Sequence, residues 1–148
     1  MVPVTADAVR LFLHVLAATV WVGGQLVLAA LVPAVRPAGP EVITAVARRF
    51  QQVAWPAFAL LLITGLWNLD AANFSKRSDE WQATVMAKIG AFVVAGITAA
   101  GHTALGRRAR QAAGSPEARR WRARAGASAG IALLASLAAL FWGVSLRA

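Results

Sequence analysis

His14, Gln25, Lys88 and His102 are the side chains best suited to chemistry in this sequence, and each lies inside a long apolar stretch. An imidazole offers a metal ligand or a proton carrier, an amine offers a cation, and an amide offers a hydrogen bond in either direction. In hydrocarbon such groups cost free energy, so each needs a partner or a purpose. Met86, two residues before Lys88, adds a thioether suited to soft metals, and Met1 is the only other sulfur in the chain. The absence of cysteine removes disulfides, thiolate zinc sites and CxxC redox chemistry.

The elements that must position these groups follow from hydropathy. Of the 148 residues 59% are hydrophobic and 14% charged, and the apolar residues come in runs too long for a soluble domain. Four runs approach the length of a bilayer: Leu11 to Val35, Val53 to Leu69, Thr84 to Leu105 and Ala127 to Leu146. The second is short and is expected to extend back through Val42 to Gln52, where Val42, Val46, Phe50 and Val53 recur at helical spacing. Pro33, Pro37 and Pro40 punctuate the first connection, and Gly114-Ser115-Pro116 breaks the third. A secretory signal is disfavoured for the first run, which is longer than a signal's apolar core and contains His14. The expected architecture is an all-α bundle of four transmembrane helices forming one integral membrane domain.

Ten of the fifteen basic residues fall in the first and third connections: Arg36, Arg48, Arg49, Arg107, Arg108, Arg110, Arg119, Arg120, Arg122 and Arg124. The positive-inside rule therefore places those connections in the cytoplasm and both termini outside, in a multi-pass protein of the cell membrane. Anionic lipid is the expected partner of the arginines. Nucleic acid is not, because only Trp121 is interleaved with this charge where single-strand readers use several aromatic rings. A homo-oligomer is compatible with so small a bundle.

His14, Ala18, Trp21, Gln25 and Leu28 step by four and three residues, which puts them on one stripe of the first helix. Lys88, Ala91, Ala95, Ala99 and His102 form a corresponding stripe on the third, where small residues favour close helix packing or leave room for a flat cofactor. Both helices run from outside inwards. At the rise of an α-helix His14 lies about 5 Å below the outer edge and His102 about 27 Å. Joint ligation of one iron by this pair within a subunit is therefore rejected. Two polar layers are expected instead: His14 with Met86, Lys88, Asn68 and Trp67 near the outer surface, and His102 with Gln25 and Gln51 or Gln52 near the inner.

The stretch His14-Val-Leu-Ala17-Ala-Thr-Val-Trp21-Val-Gly23-Gly24 resembles the first-helix signature of the CopD-like copper-resistance membrane family, and Lys88 opens the third span as it does there. HemJ-type protoporphyrinogen oxidases are similar as well, through His14, Trp21, Gly24, Pro56, Gly65, Lys88 and His102. This chain has Gln25-Leu-Val-Leu where that second family has aromatic and basic residues, a departure that bears on oxidase activity more than on fold.

The first resemblance implies copper handling, as transport or delivery, through an outward-facing site centred on His14, with Met86 or Met1 as a sulfur donor. The second implies a b-type haem, with His14 as axial ligand, Trp21 and Gly24 along its slot, and Lys88 or Arg10 for its propionates. The metal is thus open between copper and haem iron. A third reading is a cofactor-free membrane scaffold. The sequence leans away from an enzyme: no carboxylate lies within the spans, and no Ser, His and acidic residue share a level.

Overall fold

The computed structural model describes residues 4–146, so Met1 and Arg147 lie outside it. Every regular element among the described residues is helical: α1 (Ala6–Ala18), α2 (Gly24–Val35), α3 (Pro40–Ala71), α4 (Asp79–Gln111) and α5 (Pro116–Ser145). A π-turn, Thr19–Gly23, joins α1 to α2 in one continuous helical segment, which makes four spans in all. Large apolar side chains such as Ile63, Leu66, Ile97, Leu134 and Phe141 are more than half exposed along these spans. Backbone hydrogen bonds closed within each helix and apolar side chains turned outwards suit lipid and not water. The protein is a four-span, multi-pass membrane protein.

The spans are longer than the apolar runs. α3 does begin at Pro40 and carries the amphipathic stretch Val42 to Gln52, as the spacing predicts. The arginine-rich connection is a correction. Arg107, Arg108 and Arg110 ride the last turns of α4 and Arg119 to Arg124 the first turns of α5, which leaves only a tight turn through Gly114 at φ +87°. Arginine is a good helix former, and the apolar run measures hydrocarbon thickness, not helix length. Pro116 at the first position of α5 sets the restart, since its missing N–H has no helical partner to lose there.

The chain divides into two compact units between Arg77 and Ser78. In the first, α1 and α2 pack against α3, whose buried residues Ala54, Ala57, Leu61 and Thr64 recur at helical spacing. Pro33 and Pro56 lie inside its helices, and the π-turn shifts the phase of the first span. Burial consequently follows Arg10, Ala17, Trp21 and Val22, so the stripe passes through Ala17 and not Ala18.

In the second unit α4 and α5 form an uninterrupted hairpin. Ala118, Ala125, Ala132 and Ala139 of α5 are all buried and recur every seven residues. On α4, Ala95 and Ala109 are buried two such intervals apart, with the half-buried His102 midway between them. A seven-residue period of small side chains is the pattern of two helices wound closely about each other. Their approach lets side chains reach the facing backbone: Ser128 Oγ donates to Thr98 O at 2.7 Å.

Candidate functional site

His14 sits two turns into α1 with its imidazole against α3. Its Nδ1 lies 2.8 Å from Thr64 Oγ1. Thr64 is buried, and its hydroxyl donates to Leu60 O one turn back at 2.6 Å. A hydroxyl has a single proton and here it is committed to a carbonyl, so Thr64 accepts from the ring and His14 Nδ1 is the donor. In the neutral form of the ring the lone pair then lies on Nε2. A hydrogen bond to one ring nitrogen that fixes the tautomer and aim of the other is how metal-ligating histidines are held.

Gly65 completes this wall. A Cβ built there would lie 3.8 Å from His14 Cε1, so the glycine surface is in contact range of the ring edge. Residue periodicity explains the pairing: Leu61, Thr64 and Gly65 share the face of α3 that α1 covers. Asn68 and Trp67 follow near the end of α3, the first half-buried and the second 44% exposed.

Two turns after His14 along the first span, Trp21 is buried within the π-turn. Its ring centroid is 4.7 Å from Phe58 and 6.0 Å from Trp55, in tilted arrangements that suit aromatic quadrupoles. Gln25 Nε2 donates to Trp21 O in its own helical segment at 3.1 Å. Gly24 is a point of close approach: a Cβ there would overlap the Phe50 ring of α3, so its absence lets that ring lie against the first span. Gln51 follows Phe50 on α3 and is half-buried. Arg10, one turn before His14, is 9% exposed and bonds Asp7 Oδ1 through Nη2 at 3.1 Å.

In the second unit Met86 is 57% exposed, and Lys88 lies over Gly143 of α5, where a Cβ would come within 3.0 Å of Nζ. His102 Nδ1 donates to Ala125 O across the hairpin at 2.9 Å. At the arginine-rich end Arg108 and Arg124 each stand 5.2 Å from the centroid of the Trp121 ring, a cation–π arrangement that anchors both guanidiniums. Among the described residues no three His, Cys, Asp or Glu side chains gather into a metal-binding group.

Sequence reasoning singled out His14 as a candidate but missed Thr64, and it placed Arg10 near the outer edge without foreseeing its burial. The available signals were local. Arg10 stands four residues before His14 on the same helix face, and Thr64-Gly65 interrupts the apolar run Phe58 to Leu66 with two small residues.

Four apolar spans with a histidine locked between the first two define a multi-pass integral membrane protein with a polar centre in its first helical pair. Residues 44–146 match the family of copper resistance protein D, and the chain belongs to that family. No curated protein and no solved structure matches it. The match begins in α3, so Thr64, Gly65, Lys88 and His102 fall inside it and the segment His14 to Gly24 stands before it. The protein is therefore a copper-resistance-related integral membrane protein.

Proposed function

We propose that the protein handles copper at the cell membrane, by transport or delivery, and that His14 Nε2 is the donor that receives the ion. The observation that carries this reading is the chain His14 Nδ1–H to Thr64 Oγ1–H to Leu60 O, which directs the imidazole lone pair onto Nε2. Imidazole is a suitable ligand for copper. Copper is the cargo in this reading and not a resident cofactor. With Arg36, Arg48 and Arg49 read as cytoplasmic by the positive-inside rule, His14 belongs near the outer surface.

Elemental analysis of purified protein and of the His14→Ala variant tests the assignment. Wild type is expected to bind copper and the variant to lose it while retaining its helical circular dichroism. Equal copper in both refutes the role of His14. A visible spectrum taken on the same samples separates the haem alternative, because a Soret band that disappears with His14 assigns the imidazole to haem iron instead.

A further inference from the structure

The strongest observation that the copper reading does not use is the guanidinium of Arg10. It is buried in the second turn of α1, and its one acceptor among the described residues is Asp7 Oδ1 on Nη2. Nε and Nη1 are sealed from solvent and have no hydrogen-bond partner among the described residues. Asp7 is on the wet side of this pair: its side chain is 76% exposed against 11% for Arg10, so its charge is hydrated and screened. A guanidinium cannot shed its proton to escape burial, unlike an imidazole or an amine. The charge and the N–H groups on Nε and Nη1 therefore remain in a dry setting, where charge and donors both call for an acceptor.

A water molecule would supply an acceptor without charge. An oxyanion supplies both, and its planar or tetrahedral oxygens match the guanidinium fork. Position favours the same occupant. Arg10 is four residues from the start of α1, about 6 Å along the axis at helical rise, where the positive end of the helix adds to its field. That depth is reached both by the phosphodiester of a lipid headgroup and by a small anion from the outer medium.

We infer that Arg10 is an oxyanion-binding residue, and that a phosphate or carboxylate group seats against its Nε and Nη1 on the outer side of His14. Asp7 competes for this guanidinium and limits the affinity. The site stands on Arg10 and Asp7 alone and does not depend on copper.

The test uses the full chain in nanodiscs, with thermal unfolding as readout. In phosphatidylcholine discs the probe is inorganic phosphate against chloride at constant ionic strength; in a second arm the discs contain phosphatidylglycerol and no phosphate is added. Wild type is expected to gain about 5 °C at saturation in at least one arm, as a ligand of the folded state does. A response to phosphate in the first arm identifies a free anion as occupant, and a response in the second alone identifies a lipid headgroup. Arg10→Gln should abolish the response, and Arg10→Lys should weaken it by removing the fork. Asp7→Asn leaves Arg10 in place and removes its competitor, so the response should saturate at several-fold lower ligand concentration. No response of wild type in either arm, an unchanged response in Arg10→Gln, or unchanged or weaker binding in Asp7→Asn overturns the assignment.

Discussion

The two units hold a histidine in the same way at one nitrogen and differ in what stands behind it. His14 and His102 each use Nδ1 against the second span of their own unit. His102 donates to a backbone carbonyl of α5 in a hairpin whose buried alanines pack the two helices closely. His14 donates to a threonine hydroxyl, which hands its own proton to Leu60, in a helical pair interrupted by a π-turn and two prolines. On the reading proposed above, the difference separates a strut from a ligand, according to whether the anchor of the ring is fixed backbone or a rotatable hydroxyl. Small side chains packed every seven residues build the regular half. Aromatic rings around Trp21 fill the irregular half.

The sharpest way to break this contrast is to overfill the seam. Ala95 is completely buried, and Ala95→Leu is expected to cost about 3 kcal/mol of stability, at the upper end of the range for added core volume, which thermal unfolding in detergent would record. Thr64→Val keeps the shape at the histidine but removes the acceptor for Nδ1–H. Copper affinity should fall about 10- to 100-fold in a titration, the usual effect of losing a partner behind a metal ligand, while the helical content stays. Gly24→Ala pushes the Phe50 ring away from the first span and should lower stability by about 1–2 kcal/mol in the same unfolding assay. The smallest effect is expected at the strut. His102→Ala removes one hydrogen bond to a carbonyl, about 1 kcal/mol by unfolding, and should leave copper binding as it is. If His102→Ala abolished copper binding and Thr64→Val did not, the roles of the two histidines would have to be exchanged.

Much of this architecture was legible in the amino-acid pattern. The apolar runs located all four spans, and the amphipathic stretch Val42 to Gln52 gave the early start of α3, because helical spacing survives where hydrophobicity fades. The alanine stripe through Ala95 was visible for the same reason. The π-turn was not, since one extra residue in a turn leaves no compositional mark yet moves burial from Ala18 to Ala17. Helices continuing through the arginines were hidden because apolarity reports where lipid ends and not where hydrogen bonding stops. Thr64 escaped for a different reason. A threonine that bonds its own helix is common in apolar spans, and only the fold brings it to His14 from fifty residues away.

The central claim concerns one nitrogen atom. Nitrogen NMR of protein labelled in histidine, recorded before and after addition of copper(I), observes it directly. The account predicts a His14 ring protonated at Nδ1 throughout, with copper shifting the Nε2 resonance alone. A ring protonated at Nε2, a shift at Nδ1, or a His14 spectrum indifferent to copper would contradict it.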